Sequence, residues 1–316
     1  MVLVSAVMSV YKEPVDWLVE SINSILNQTY TDFEFIIIID NPRYNEAIEL
    51  INEFCKKDSR ISVIINDENI GLTKALNKGM ALAKGKYIAR MDADDISYST
   101  RFEKQVDFME CNPNIVVCGT GITRFGGRDD TTLYESDPKK NYTFFTFPNP
   151  YLSPFAHPTV FIRKSVLDLY NIKYNEEFIT SQDFGLWNEL IFLGEFSNLD
   201  EVLLKYRVSE NSISKNKRED QINNTEKIVI DHVRRWLTVK KIELIDDVNP
   251  DFLIKIAKKR EEGYHIIKIS AMAYGLLMNR QYSFWYTFRF FMKNRNVNVS
   301  LLLKAKLLVK KILKRY

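Results

Sequence analysis

The chain has 316 residues and a net charge of +3, with 46% hydrophobic and 27% charged residues, 11 Gly and 9 Pro, a globular composition that excludes collagen-like, low-complexity and largely disordered proteins. At about 150 residues per domain, this length predicts two domains or one large domain with an extension. The three cysteines, at positions 55, 111 and 118, lack CxxC spacing and cannot all pair, which argues against a disulfide framework or a Cys-rich zinc site.

Charge is unevenly spread. Residues 263–316 hold eleven Lys or Arg and no acid, which leaves the preceding residues at −8. The opening run MVLVSAVMSV has neither a basic flank nor a cleavage pattern, so it reads as a buried strand and not as a signal peptide. A membrane-spanning helix needs roughly 18 or more apolar residues, and Lys268 and Arg289 interrupt the longest candidates. A soluble or peripheral cytoplasmic protein is expected.

In chain order, residues 2–10 form an apolar run, followed after Pro14 by Trp17, Leu18, Ile22, Ile25 and Leu26 at helical spacing. The same strand-then-helix pattern returns at 33–39 with Ala47, Ile48, Ile51 and Phe54, and at 61–65 with Leu72, Ala75, Leu76 and Leu82. A fourth run, 87–91, precedes a helix through Phe102, Val106 and Met109. Alternation of this kind, with strands apolar on both faces, predicts an α/β fold built on a mostly parallel sheet flanked by helices.

Ligands of such sheets sit beyond the carboxyl ends of the strands. There the sequence places Ser9-Val10-Tyr11, Asp40-Asn41, Asn66-Asp67 and Asp92-Ala93-Asp94-Asp95. Polar groups at four successive strand ends point to a polar ligand with a cation, although Asp and Asn are also favoured helix caps. Neither GxGxxG nor GxxxxGK[ST] is present, so dinucleotide and P-loop chemistry are excluded. A diphosphate can instead be held through a divalent cation bound by one or two carboxylates. Asp92-x-Asp94 supplies them, both side chains lying on one side if the segment is extended. About one DxD triplet is expected by chance, so its place after a strand carries the weight.

The segments SVYKE, SINSILNQTYTDFEFIIIIDN, NDENIGLTKALNKGMALAKGKYIARMDADD and SQDFGLWNEL occur in that order. Together they resemble glycosyltransferase family 2, the inverting enzymes with a GT-A fold, and in particular bacterial enzymes of capsule and other surface polysaccharides. The resemblance covers about the first 210 residues. It implies a GT-A domain over 1–210, with a nucleotide-binding half at about 1–98 and an acceptor half at about 99–210, and a helical basic extension over 211–316.

Carried onto this chain, the resemblance places the donor base and ribose near Tyr11, Glu13 and Asp40, with Asn69, Lys74, Asn77 and Arg90 also on the donor side. Asp92 would face the ribose or the metal, Asp94 would be the main ligand to Mn²⁺ or Mg²⁺, and Asp183 would be the general base. The chain departs from the family at three positions: Asn41 replaces an acid, Gln182 replaces the usual Glu, and Ser209 stands where many members have histidine.

The implied reaction moves a sugar from a UDP- or dTDP-sugar to a saccharide or lipid-linked saccharide. A metal supports the leaving diphosphate, so one carboxylate is sufficient as base. Asp183 could instead be an N-cap; otherwise the amides of that helix would keep it ionised. A metal-dependent nucleotidyltransferase and a non-catalytic sugar-nucleotide-binding protein are the alternatives. His157 lines the acceptor cleft or is structural, and Trp187 reads as core. The stretch 123–149 reads as a mobile loop on the acceptor side.

No nucleic-acid partner is expected. The basic stretch 282–316, with Leu301, Leu308 and Ile312 on one helical side and Lys304, Lys311 and Arg315 on the other, suits an anionic membrane surface. Packing on the catalytic domain or a homo-oligomer interface are the other uses of that stretch.

Overall fold

The computed structural model describes residues 3–126, 133–134, 153–208 and several residues between 220 and 235. The chain divides into two compact units, Met1–Phe147 with Pro154–Gln221, and Pro148–Ser153 with Ile222–Tyr316. In the second, residues 223–225, 227–228, 231–232 and 235 are helical, with an Asp231–Arg235 ion pair at 2.8 Å. The boundary expected near 210 and the basic stretch 282–316 lie outside the described residues, as does Ser209. Among the described residues, no helix is long and apolar enough to cross a membrane.

The first unit is a nine-stranded sheet with helices against it. Its opening follows the predicted alternation: β1 (Val4–Val10), α1 (Val15–Leu26), β2 (Phe33–Ile39), α2 (Asn45–Lys57), β3 (Ile61–Ile65), α3 (Leu72–Leu82) and β4 (Tyr87–Asp92). Within β2 the residues from Phe35 to Ile39 form an unbroken apolar run because the sheet buries both of its faces there, all five being buried. β3 is an edge strand and leaves Ile65 exposed. Gly79 lets α3 lie directly on β1, since a Cβ there would come within 2.5 Å of Val7 Cγ1.

β1 pairs in parallel with both β2 and β4, with Val10 opposite Ile39 and Ser9 opposite Asp92. β2 pairs with β3 with Ile39 opposite Ile65. This register brings the carboxyl ends of all four strands to one edge.

The second half follows with β5 (Ile96–Ser97), α4 (Arg101–Cys111), β6 (Ile115–Phe125), β7 (Leu133–Tyr134), β8 (Phe161–Arg163), α5 (Lys164–Tyr170), α6 (Gln182–Leu190) and β9 (Glu195–Arg207). Here the sheet is mixed. β8 is antiparallel to β4 and β6, β5 is antiparallel to β9, and β6 and β9 are parallel. The strand order is β3-β2-β1-β4-β8-β6-β9-β5. The loop expected from residue 123 begins later, because Thr123 still pairs with Leu133 of β7 and Lys205 of β9; residues 127–132 and 135–150 lie outside the described residues.

Phe33, Phe102, Phe161 and Tyr87 join the two halves of the core, with successive ring centroids 5.6, 5.9 and 5.6 Å apart. Trp187 is fully buried against Phe155 and Phe196, so it is core, as its helical spacing suggested. The cysteines are free thiols.

Candidate active site

The polar edge centres on the turn after β4. The chain turns at Ala93 and Asp94, so the carboxylates of Asp92, Asp94 and Asp95 converge within 4.8 Å of one another through a turn and not through the alternation of an extended strand. Ser21 Oγ of α1 donates to the Asp92 carbonyl at 2.9 Å. Capping does not explain the cluster, because the next helix, α4, has Thr100 at its N-cap position.

Burial, then the charges of Asp92 and Glu13, push the Asp94 carboxyl up to about 7. Burial and the charges of Asp92 and Asp94 raise Asp95 well above the carboxylate range. Among the described residues, Asp95 Oδ2 is buried without a hydrogen-bond partner and Asp94 forms no ion pair. Carboxylates gathered under such mutual repulsion are the donor set of a divalent cation, and the site fits one. Asp92 and Asp94, both partly exposed, could serve as its ligands.

Arg90, on the same face of β4 as Asp92, forms an ion pair with it through Nη2. The guanidinium is buried, yet among the described residues its Nε and Nη1 have no hydrogen-bond partner. Arg101 Nη2 donates to the Arg90 carbonyl at 2.8 Å. Arg101 is itself fully buried, and burial lowers its pKa to about 9.

At the end of β1, Glu13 Oε2 accepts the backbone N–H groups of Tyr11 at 2.7 Å and Lys12 at 3.1 Å. Burial raises the Glu13 carboxyl, those amides oppose the rise, and the charge of Asp92 adds to it. Tyr11 has an exposed ring, with Lys12 Nζ 4.9 Å from its centroid.

Asp40 has a different place. It is buried, and its Oδ1 accepts from Asn66 Nδ2 at 2.8 Å and Ile70 N at 2.9 Å, while Oδ2 accepts from Gly71 N at 2.8 Å. Both oxygens therefore hold the loop between β3 and α3, where Gly71 adopts φ +85°, and Asp40 does not cap α2, whose N-cap position is held by Tyr44. Asn69 Oδ1 accepts from Gly71 N at 2.9 Å in the same loop, and Lys74 is exposed on the first turn of α3. Asn77 is a brace: its Oδ1 accepts from Tyr174 N and its Nδ2 donates to Tyr174 O, both at 2.9 Å.

Asp183 lies in the first turn of α6, with Ser181 at the N-cap position in the left-handed region at φ 61°, so it is not the cap residue. Burial raises its carboxyl; the Phe184 amide, Arg90 and its own amide oppose the rise, and Asp92 adds to it. Burial thus outweighs the helix amides in setting the direction of the shift. Asp183, Arg90 and Asp92 act on one another across a single polar region.

Sequence reasoning missed Tyr174. It is buried, its hydroxyl lies 2.7 Å from His157 Nε2, and burial raises its pKa, with Arg90 opposing and Asp183 adding. No periodicity marks it, because it sits between α5 and α6 in a segment without regular structure. Arg207, the last residue of β9, was missed as well, and it reaches the turn of Asp94 and Asp95.

The sequence profile of glycosyl transferase family 2 matches residues 5–170. An uncharacterized glycosyltransferase of Methanocaldococcus jannaschii is 39% identical over 222 residues, 69% of this chain and 75% of that protein. The O-antigen biosynthesis glycosyltransferase WbnJ of Escherichia coli is 35% identical over 67% of this chain and 82% of its own length. Among solved structures, TarS of S. aureus in complex with UDP-GlcNAc superposes with a TM-score of 0.61 at 15% identity, covering 98% of this chain and 79% of that one. A mannosyltransferase from Pyrobaculum calidifontis in complex with GDP-Man and Mn²⁺ gives 0.60 at 12% identity, covering 99% and 80%. The fold is the α/β GT-A fold of these glycosyltransferases. The chain belongs to glycosyl transferase family 2.

Proposed function

We propose that this protein is a metal-dependent, inverting glycosyltransferase that moves a sugar from a nucleoside-diphosphate sugar to a saccharide or lipid-linked saccharide during assembly of a surface polysaccharide. The observation that carries the reading is the convergence of the Asp92, Asp94 and Asp95 carboxylates within 4.8 Å at the carboxyl edge of the sheet, in the same electrostatic region as Asp183. The O-antigen and amylovoran biosynthesis relatives support the polysaccharide context. The neighbours solved with UDP-GlcNAc or with GDP-Man and Mn²⁺ support the donor class and the cation.

In this reading Asp92 and Asp94 hold Mn²⁺ or Mg²⁺, which when bound neutralises charge on the departing diphosphate. Tyr11, Glu13, Asn69 and Lys74 line the donor side, and Arg90, whose Nε and Nη1 have no hydrogen-bond partner among the described residues, serves a donor oxygen. Asp40 and Asn77 act on the donor indirectly, by shaping the loops they hold. Asp183 takes the proton of the acceptor hydroxyl as its oxygen bonds to the anomeric carbon, while the bond from that carbon to the diphosphate oxygen breaks on the opposite face. Burial raises its carboxyl above the ordinary value, which makes the ionised form the stronger base.

The test is product analysis with a panel of UDP-, dTDP- and GDP-sugars, an acceptor mixture, and Mn²⁺ or Mg²⁺. Release of nucleoside diphosphate with formation of a glycoside is expected. Release of pyrophosphate makes the protein a nucleotidyltransferase, and full turnover in chelator removes the metal. Lipid-linked acceptors imply peripheral attachment through 282–316, where each Lys or Arg is worth about 1 kcal/mol at an anionic surface. Full-length protein should float with anionic vesicles at low salt and a truncation after about residue 298 should not; equally poor flotation of the two rejects the attachment.

A further inference from the structure

Arg207 makes an unusually complete set of contacts for a residue outside the carboxylate cluster. Its backbone N–H donates to Asp95 Oδ1 at 2.8 Å and its Nε donates to the Asp94 carbonyl at 2.7 Å. Its Nη2 donates to Glu20 Oε2 of α1 at 2.5 Å. The guanidinium carbon lies 4.6 Å from the ring centroid of Trp17 and 4.3 Å from that of Phe125. The side chain is 11% exposed. Gly126, at φ +76°, continues the chain beside it, and a Cβ there would lie 3.4 Å from Arg207 Cγ.

A planar guanidinium can donate along its edge while both faces stack on aromatic rings, which an ammonium cannot reproduce. The choice of acceptors is informative. Arg207 spends its charge on Glu20 and on a backbone carbonyl, and it reaches Asp95 through a backbone N–H. It therefore fixes where Asp94 and Asp95 sit without forming an ion pair with either carboxylate. A residue meant only to relieve their repulsion would pair with them directly, as Arg90 does with Asp92.

We infer that Arg207 is a positioning residue for the divalent-cation site: it clamps the turn of Asp94 and Asp95 from the end of β9 so that the carboxylates are held ready for the ion. The inference rests on the metal-dependent reading above. Groups that orient metal ligands through backbone and side-chain hydrogen bonds typically contribute about 10- to 100-fold in metal affinity.

The test uses the full-length protein and Mn²⁺ alone, with free Mn²⁺ followed by its electron paramagnetic resonance signal and the unfolding midpoint measured in parallel. Arg207→Lys keeps the charge and loses the fork, and should weaken Mn²⁺ binding by about 10-fold or more. Glu20→Gln, at a half-exposed side chain, keeps Arg207 and loosens its anchor, and should shift Mn²⁺ affinity the same way by less. An Arg207→Lys protein that is less stable yet binds Mn²⁺ like wild type makes Arg207 a structural residue only and overturns the inference. If Arg207→Lys does not fold, Glu20→Gln decides on the same criterion. Wild-type protein that binds no Mn²⁺ overturns the metal-dependent reading itself, an outcome distinct from equal binding by wild type and variant.

Discussion

The side-chain amide of Asn41 donates to the carbonyl of Tyr11 at 3.0 Å, a bond that the acid found at this position in many family members could not make. Asn41 Oδ1 in turn accepts from Arg43 N at 3.2 Å. The amide thus ties the end of β2 to the segment after β1, beside Glu13, whose carboxylate holds the Tyr11 N–H from the other side. Replacing the amide by a carboxylate would set two acceptors against each other next to an existing acid. Asn41→Asp should cost about 0.5–1.5 kcal/mol, read as a lower urea midpoint, and should cost more than Asn41→Ala. Equal midpoints for the Asp and Ala variants would show that the hydrogen bond is not formed in solution.

Asp40 allows the roles of donor contact and loop anchor to be separated. Because both its oxygens are taken by Asn66, Ile70 and Gly71, Asp40→Asn would turn an N–H group toward an N–H donor in a buried site. The ligand-free protein should lose about 1–3 kcal/mol, and any loss of donor affinity should follow from the displaced loop. Unchanged stability with weakened nucleotide binding would return Asp40 to direct contact with the donor.

What the sequence made legible follows from how local each signal is. The four parallel strands and their helices are written as apolar runs and helical spacings within about a hundred residues, and the structure has them with nearly the predicted bounds. Their polar ends meet at one edge because parallel pairing leaves no other arrangement. The antiparallel strand β8 is three residues long, too short to carry a period. The brace between Asn77 and Tyr174 spans 97 residues, and the Arg207 contact with Asp95 spans 112. No spacing rule links positions so far apart, so neither the contact of Asn77 with Tyr174 nor that of Arg207 with Asp95 was legible in the sequence.

Chemistry at Asp183 separates from binding in one variant. Asp183→Asn is nearly isosteric, so donor affinity should stay close to wild type while turnover falls by about 10² or more. Because burial raises this carboxyl and the base must be deprotonated to act, wild-type kcat/KM should rise with pH through a limb lying above the ordinary carboxylate range. A variant with undiminished turnover, measured with donor and acceptor saturating, would leave Asp183 without a role as base.

His157 gives the fold an acid limit that can be measured without substrate. Burial, then the charge of Arg90, holds its imidazole well below 6.5, and its Nε2 lies 2.7 Å from the Tyr174 hydroxyl. The native side chain therefore stays neutral, while the unfolded chain takes up a proton below about pH 6.5. Since the unfolded state binds more protons, stability is present in full above that pH and is lost as pH falls toward the native pKa. The slope from one such group is about 1.4 kcal/mol per pH unit. His157→Gln removes the titrating ring and keeps an amide to meet Tyr174. The other histidines are common to both proteins, so the difference between their stability curves isolates position 157. Urea unfolding between about pH 6 and 5 should show a shallower loss in the variant by up to that slope. Parallel curves would mean that His157 protonates as readily in the folded protein as in the unfolded chain, and that its contact with Tyr174 does not persist in solution.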